Sequence, residues 1–207
     1  MARLGPDTTA MRSVGMPSSW LMTSLIRASV PNSRPFMSET TMAPYFRPYT
    51  TADIVGVEIG GIVKNVIALA VGICEGKQMG DNTKASVITR GLAETSRLAL
   101  ALGGEAQTMA GLAGLGDLVA TCSSPLSRNH TAGRLLGQGL TLDEVAGQMT
   151  QTAEGIKSGQ AVHELAGKLG VDMPITAAVV AVLAGQLSVD QLGHALLSRE
   201  LKPEGDY

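Results

Sequence analysis

The stretch of sequence that decides the fold is IGGIVKNVIALAVGI, Ile59–Ile73. Every residue in it is apolar or small except Lys64 and Asn65. Because a helix that is apolar on all sides packs inside a core, this stretch predicts a buried central helix. Lys64 and Asn65 also interrupt the longest apolar run before it reaches the roughly 18 residues that indicate a membrane span. We therefore expect no segment that crosses a membrane.

The residues that follow continue the helical pattern. Thr83–Leu102 has apolar residues at helical spacing, with Arg90 and Glu94 as an i,i+4 pair on its polar side. Gly103 is placed to end that helix, and Gly170 to end a later one that carries an apolar stripe.

Two further helix starts carry the same sequence signature. Capping boxes begin at Thr141 and at Ser188, and Pro174 suits the first turn of another apolar helix. No strand pattern follows Glu58. About seven helices therefore predict a mainly α fold, with an all-α domain over residues 59–201 and a short tail, 202–207.

The beginning of the chain has a different composition. Residues 1–50 hold six of the nine prolines and carry a charge of +3, against −5 for the remainder, which sums to −2. No helical or strand period of useful length crosses residues 1–44. Three interpretations compete: a targeting segment, a disordered tail, or an artefact of a misplaced start or shifted reading frame. We favour disorder or an artefact, because the prolines leave no amphipathic Arg-bearing helix.

Residues 45–58 contain two short β-like pieces, Tyr45–Thr50 and Asp53–Glu58, which are rich in aromatic and β-branched residues. Two such pieces are too few to make a stable sheet alone. We expect them to be two short strands that precede the helical domain.

The bulk composition excludes several function classes. A net charge of −2 gives no electrostatic reason to expect nucleic acid or an anionic membrane as a partner. Cys74 and Cys122 have no CxxC spacing and no histidine at metal-ligand spacing, so neither a disulfide framework nor a metal site is indicated. We expect reduced thiols in a cytoplasmic protein.

Lys64 is the first candidate for chemistry, because it stands with Asn65 in a helix that is otherwise fit for burial. An ammonium group is costly to bury unless it is paired. Lysines in such places serve as general acids or bases. The alternative is a lysine whose head group reaches solvent at the edge of the helix.

A glycine-punctuated segment, Gly111–Cys122, supplies a second candidate. It is not G-x-G-x-x-G and no strand precedes it, so it is not a dinucleotide fingerprint. Asp117 and Thr121 are four residues apart and share a face if the segment is helical. The alternative for Asp117 is a helix cap.

The third candidate is a phosphate cradle at Ser127, Arg128 and Asn129, beside a predicted helix start. The guanidinium fork suits phosphate oxygens, and free N–H groups at a helix N-terminus add donors. An exposed capped loop is the alternative. His130 adjoins the cradle and has a plain surface position as its simplest interpretation.

Together these segments resemble the bacterial NAD(P)-dependent glycerol-3-phosphate dehydrogenases, over about Tyr45–Leu201. The stretches that carry the resemblance are Val57–Ala68, Gly80–Ala85, Ile88–Glu94, Ala113–Leu118, Ser127–Asn129 and Glu154-Gly155. Each motif alone is weak, but their order and spacing together are specific.

The resemblance implies a multi-helix C-terminal dehydrogenase domain of the 6-phosphogluconate dehydrogenase type. It also implies a reaction, the reduction of dihydroxyacetone phosphate by NADH or NADPH to sn-glycerol 3-phosphate, which feeds phospholipid synthesis. In that family the residue matching Lys64 is the general acid/base. Asp117 matches the catalytic and substrate site, with Asn65 and Thr121 as supports.

The same resemblance implies the binding residues. Substrate contacts fall on Lys64, Asp117, Ser127, Arg128 and Asn129. Cofactor contacts from the helical domain fall on Arg128, Thr152 and Glu154.

One part of the family pattern has no counterpart among the motifs of this chain. The family begins with a Rossmann domain that carries a glycine-rich phosphate loop and a second substrate-site lysine. Residues 1–44 resemble nothing in that domain, and residues 45–58 match its last strands. We expect this chain to bind neither NAD nor NADP tightly and to be nearly inactive alone, since hydride transfer needs cofactor and substrate in near-attack geometry.

Two other interpretations stay open. One is a non-catalytic helical interaction or dimerisation module that docks through an apolar face. The other is a sibling dehydrogenase domain for a different hydroxy acid, although the pairing of Gly116-Asp117 with Ser127–Asn129 argues for a phosphate substrate. We expect a small-molecule phosphate substrate and a homo-oligomer, with neither nucleic acid nor membrane as a partner.

Overall fold

The computed structural model describes residues 49–149 and 153–192, and within them it contains helices and no strand. The mainly α prediction is therefore confirmed for this part of the chain. The chain divides into two units, Met1–Ile54 and Val55–Tyr207, and the helices from Val55 onward belong to the second. The elements are α1 Ile54–Gly76, α2 Gly80–Ala101, α3 Ala106–Ala110, a π-helical turn Leu112–Gly116, α4 Asp117–Ser123, α5 Arg128–Gly137, α6 Leu142–Gln148, α7 Glu154–Leu169 and α8 Pro174–Leu183.

Helix α1 is the centre of the helical domain, as the opening stretch predicts. Its residues from Val66 to Cys74 are all buried. Close packing against α5 depends on missing side chains, because a β-carbon at Gly133 would lie 2.1 Å from the carbonyl oxygen of Leu69. This approach brings the start of α5 beside α1, which is where the candidate site forms.

The apolar helix α1 is longer than the apolar run that the sequence shows, which bears on the expectation that no segment crosses a membrane. Ile54–Gly76 has 23 residues and a mean hydropathy of 1.9 in its most apolar window, so length and composition alone would allow it to cross a membrane. Yet 61% of that window is buried inside the domain. Such burial is typical of a core helix, which passes the same test.

The second β-like piece, Asp53–Glu58, is also corrected. Helix α1 begins at Ile54, so all of this piece except Asp53 belongs to the start of the central helix. The preference of β-branched residues for strands depends strongly on their surroundings, and helix packing overrides it here. Of the first piece, Tyr49 and Thr50 have no regular structure. Residues 1–44, 45–48 and 202–207 lie outside the described part of the chain.

The helix ends follow the sequence signals closely. Thr141 and Glu144 form the predicted capping box, in which the Thr141 hydroxyl accepts from the Glu144 N–H and the Glu144 carboxylate accepts from the Thr141 N–H. Ser188 and Gln191 make the same pair of bonds. Gly170 ends α7 with a φ of 67°, a left-handed conformation that favours glycine.

Glu94 departs from its predicted place on a polar surface. It is only 1% exposed, and its carboxylate accepts hydrogen bonds from the Ile175 N–H at 2.6 Å and the Thr176 N–H at 3.2 Å. The carboxylate thus caps the N-terminus of α8 from α2, where the helix dipole favours a negative charge. Burial raises the pKa of Glu94 to about 7, although these donors and Arg97 act to lower it.

Candidate active site

A cavity of about 550 Å³ lies where α1, α4, α5 and the start of α7 meet. Polar and charged side chains dominate its wall, as expected for a site that takes an ionic small molecule. Its lining includes Lys64, Asn65, Thr121, Ser127, Arg128, Asn129 and Glu154, which are all sequence-predicted site residues.

Lys64 reaches the cavity from the middle of α1. Its Nζ donates to Asp117 Oδ2 at 2.5 Å, and the two side chains are 22% and 40% exposed. The lysine is therefore paired instead of extending alone into solvent. A paired ammonium at a cavity wall keeps its position while it remains open to a ligand.

Asp117 is the first residue of α4, where its carboxylate also suits the helix N-terminus. Thr121 lies one turn later, and its hydroxyl donates to the Asp117 carbonyl oxygen at 2.7 Å. The same hydroxyl oxygen is 3.4 Å from Asp117 Oδ1. Asp117 and Thr121 therefore share a face, as their spacing predicts, and Asp117 is more than a cap because it pairs with Lys64.

The predicted phosphate cradle is the first turn of α5. Ser127 is the N-cap, and its side chain accepts from the His130 N–H. Arg128 follows as the first helical residue, with Nη2 3.6 Å from Glu154 Oε1. The helix N-terminus and the guanidinium group together make this part of the cavity attractive to an anion.

Behind the charged residues, buried amides join three helices. Asn129 Nδ2 donates to Asn65 Oδ1 at 2.9 Å. The Gly155 N–H donates to Asn129 Oδ1 at 2.8 Å. Asn65 and Asn129 are both buried, at 9% and 7% exposed.

The structure also shows residues that the sequence signals missed. Ser124 and Leu126 line the cavity, and only their position in the loop before Ser127 points to them. His130 is buried, and its Nε2 is 3.1 Å from Glu75 Oε2 on α1, so its interpretation as a surface residue is wrong. Thr152 lies outside the described residues, and its predicted cofactor contact stays a prediction.

The described ranges 49–149 and 153–192 contain no group of three or more His, Cys, Asp or Glu side chains arranged to hold a metal ion. The ionic groups of the cavity instead pair with each other, lysine with aspartate and arginine with glutamate.

Comparison with known proteins shows the family to which the chain belongs. The family described as the C-terminus of NAD-dependent glycerol-3-phosphate dehydrogenase matches residues 53–194. The chain belongs to this family. The match covers the whole cavity and every described residue that lines it.

Curated relatives support the assignment over the same part of the chain. The glycerol-3-phosphate dehydrogenase [NAD(P)+] of Thermobifida fusca is 62% identical over 162 residues, which are 78% of this chain and 48% of the relative. The Caulobacter vibrioides enzyme is 56% identical over 81% of this chain and 51% of the relative. The chain thus spans about half the length of these glycerol-3-phosphate dehydrogenases.

A third relative extends the similarity towards the beginning of the chain. The enzyme of Corynebacterium urealyticum is 51% identical over 202 residues, which are 97% of this chain and 59% of the relative. The similarity therefore includes most of residues 1–44, a segment in which we find no motif of the family.

Solved structures agree with the fold. The crystal structure of glycerol-3-phosphate dehydrogenase from Coxiella burnetii aligns with a TM-score of 0.72 at 39% identity, over 87% of this chain and 52% of that one. The Saccharomyces cerevisiae enzyme aligns with a TM-score of 0.69 at 29% identity, over 75% of this chain and 46% of that one.

Proposed function

We propose that this chain is the substrate-binding half of a glycerol-3-phosphate dehydrogenase, which interconverts dihydroxyacetone phosphate and sn-glycerol 3-phosphate. The observation that carries the proposal is the cavity lined both by a lysine paired with an aspartate and by an arginine at a helix N-terminus. A short phosphorylated polyol needs these two features, an anion site and a proton donor within the reach of one small molecule. Its product supplies glycerophospholipid synthesis.

The phosphate group binds at the start of α5. Arg128 offers a forked pair of donors, and the first turn of α5 offers backbone N–H groups that no residue of the same helix can satisfy. Asn129 has one amide hydrogen left after its bond to Asn65, because a carboxamide nitrogen carries two. All of these groups are hydrogen-bond donors, so they suit the phosphate oxygens at the anionic end of the ligand.

Proton transfer at the other end falls to Lys64. As an ammonium it donates a proton to the carbonyl oxygen of dihydroxyacetone phosphate while that oxygen becomes a hydroxyl group. In the reverse direction the neutral amine accepts the proton. The Asp117 carboxylate holds Nζ in position, and the Thr121 hydroxyl donates to the Asp117 backbone carbonyl oxygen on the same helix.

The nicotinamide cofactor, when bound, supplies the hydride that reaches the carbonyl carbon. Arg128 and Glu154 lie together at the exposed rim of the cavity, with Nη2 and Oε1 3.6 Å apart. A guanidinium and a carboxylate suit a phosphate and ribose hydroxyl groups, so this rim fits one edge of a dinucleotide. The printed sequence contains no G-x-G-x-x-G loop for the pyrophosphate, so we propose that the chain alone binds NAD or NADP weakly.

The setting of the protein belongs to the same proposal. We propose a cytoplasmic homo-oligomer whose partner is a small phosphate, with neither nucleic acid nor membrane involved. Cys74 and Cys122 are free and buried, as is usual in a reducing compartment. Burial raises the pKa of the Cys122 thiol to about 12, which makes it a poor nucleophile.

One observation favours the interaction module as a second candidate. Leu112, Leu115, Val119 and Leu126 are exposed although they are large and apolar, and they follow one another on the π-helical turn, α4 and the next loop. Such a surface suits a contact with another protein surface. It does not explain the ionic cavity beside it, so we keep the dehydrogenase half as the conclusion.

The experiment is a two-dimensional ¹H–¹⁵N NMR titration of the 207-residue chain with sn-glycerol 3-phosphate, inorganic phosphate and glycerol. We expect glycerol 3-phosphate to bind at least about tenfold more tightly than phosphate, with glycerol weaker than both, because its phosphate and hydroxyl ends add contacts. The shifted amides should include those of Arg128 and Asn129. Equal binding of the three compounds, or shifts that leave out the amides of Lys64, Arg128 and Asn129, would leave the interaction module as the better account.

A further inference from the structure

We infer that the buried amide relay of Asn65, Asn129 and Gly155 sets the distance between the proton donor and the phosphate cradle. The inference rests on the proposed function, since it concerns how this cavity selects a ligand that spans both ends. In this relay the three residues act through the helices they join, which makes them positioning residues, and Asn129 has in addition the amide hydrogen that it offers to the phosphate.

Each relay residue is the next residue in sequence after a charged one that lines the cavity. Asn65 follows Lys64 on α1, Asn129 follows Arg128 on α5, and Gly155 follows Glu154 on α7. A hydrogen bond at each buried position therefore fixes the helix that carries the charged group. Three helices with three charges are held together by one carboxamide.

Asn129 is that carboxamide. Its Nδ2 donates to Asn65 Oδ1 at 2.9 Å and its Oδ1 accepts from the Gly155 N–H at 2.8 Å. Both bonds are buried, and a buried polar group that loses its partner is costly. The orientation of the amide is set at both ends, so α5 cannot shift against α1 or α7 without breaking a bond.

The packing at Gly155 supports the same conclusion independently. A β-carbon there would lie 2.6 Å from the Asn65 carbonyl oxygen and 2.9 Å from Leu69 Cδ1. The backbone of α7 therefore rests directly on α1 beside the relay. Gly159, one turn later, is different, because its β-carbon would meet Val180 Cγ2 at an ordinary 3.5 Å.

This difference supplies a matched pair of variants on one helix. Gly155→Ala forces α7 away from Asn65 and strains the bond to Asn129, yet it alters no side chain of the cavity wall. Gly159→Ala adds the same methyl group to the same helix and leaves the relay alone. Asn65→Ala removes the other end of the relay and covers the case in which Gly155→Ala fails to fold.

The measurement is the ratio of two dissociation constants, for inorganic phosphate and for sn-glycerol 3-phosphate, from NMR titrations of the full chain. Phosphate touches the cradle alone, whereas glycerol 3-phosphate spans the cradle and Lys64. A general loss of stability weakens both ligands together and leaves the ratio unchanged. A change in the distance between Lys64 and Arg128 weakens glycerol 3-phosphate selectively.

We expect the ratio to fall at least fivefold in Gly155→Ala and in Asn65→Ala, and to stay within twofold of the wild-type value in Gly159→Ala. Thr176→Val, which removes a buried hydrogen bond between α8 and α2 that involves no residue of the relay, should also keep the wild-type ratio. If folded Gly155→Ala keeps that ratio, or if Asn65→Ala does when Gly155→Ala does not fold, the inference is overturned. A wild-type chain that binds the two ligands equally overturns the proposed function, and the inference with it.

Discussion

Lys64 Nζ and Asp117 Oδ2 are 2.5 Å apart, although 53 residues separate them in the chain. The pair joins the central helix α1 to the first residue of α4, and Lys64 lines the cavity. It gives the lysine a fixed direction, which a general acid needs in order to meet one oxygen atom of a bound ligand.

Replacement of Asp117 by asparagine should change the affinity for glycerol 3-phosphate without weakening the affinity for inorganic phosphate. Lys64 loses its charged partner and its fixed direction, so we expect glycerol 3-phosphate to bind roughly tenfold more weakly. Inorganic phosphate should bind as tightly as before or slightly more tightly, because a negative charge is gone. Isothermal titration calorimetry of both ligands checks this, with Asp143→Asn on the exposed first turn of α6 as the charge-matched control. Equal loss for both ligands would contradict the assigned role.

Arg128 should affect both ligands alike. We expect Arg128→Ala to weaken inorganic phosphate and glycerol 3-phosphate by at least about tenfold each, because the guanidinium group contacts the phosphate itself. Arg134→Ala removes the same charge from the last turn of the same helix and should cost less than about threefold. The same titrations measure both variants. Wild-type phosphate affinity in the Arg128→Ala chain would contradict the assignment of the phosphate site to the start of α5.

The buried cap at Glu94 predicts a pH dependence of stability. Its pKa in the folded chain, about 7, lies above the ordinary value of 4.5, so the folded state binds the proton more tightly than the unfolded state. The stabilisation that comes from protonated Glu94 is therefore fully present below pH 4.5, and it is lost as the pH rises through 7.

The comparison with Glu94→Gln isolates this contribution, since glutamine does not titrate. Between pH 5 and pH 8 the free energy of unfolding of the wild type should fall, relative to that of the variant, by about 2.5 kcal/mol. Urea unfolding at both pH values gives the four free energies. A constant difference between the two proteins would mean that the α8 cap keeps its carboxylate ionised throughout this range.

The sequence predicts the fold well where periodic apolar residues meet clear end signals. The central helix, the Thr141 capping box and the Gly170 terminus are all local features, and the structure confirms each of them. The first turn of α1 was misassigned because Ile54, Val55 and Val57 have strand propensity, and only packing against the rest of the domain decides otherwise.

The partners of buried polar groups could not be predicted from the sequence. Nothing local indicates that Glu94 caps a helix 81 residues later in the chain or that His130 pairs with Glu75. The cavity residues were found as separate motifs, and their convergence comes from packing that glycines on α5 and α7 permit. The predicted roles of the site residues stay predictions until ligand binding is measured.

The isolated chain should show little or no dehydrogenase activity. We expect the purified 207-residue protein to reduce dihydroxyacetone phosphate with NADH or NADPH at less than about a thousandth of the rate of its Thermobifida fusca relative, because near-attack geometry accounts for several powers of ten in rate. Loss of absorbance at 340 nm measures both proteins. A rate comparable to that of the relative would show that these residues hold the cofactor in place by themselves.

The most direct test of the central claim is a crystal structure of the chain with bound sn-glycerol 3-phosphate. We expect the phosphate at the N-terminus of α5 against Arg128, and the C2 hydroxyl oxygen at hydrogen-bond distance, roughly 3 Å, from Lys64 Nζ. A phosphate bound elsewhere, or a ligand whose hydroxyl group lies away from Lys64 while the Lys64–Asp117 pair stays intact, would contradict the account.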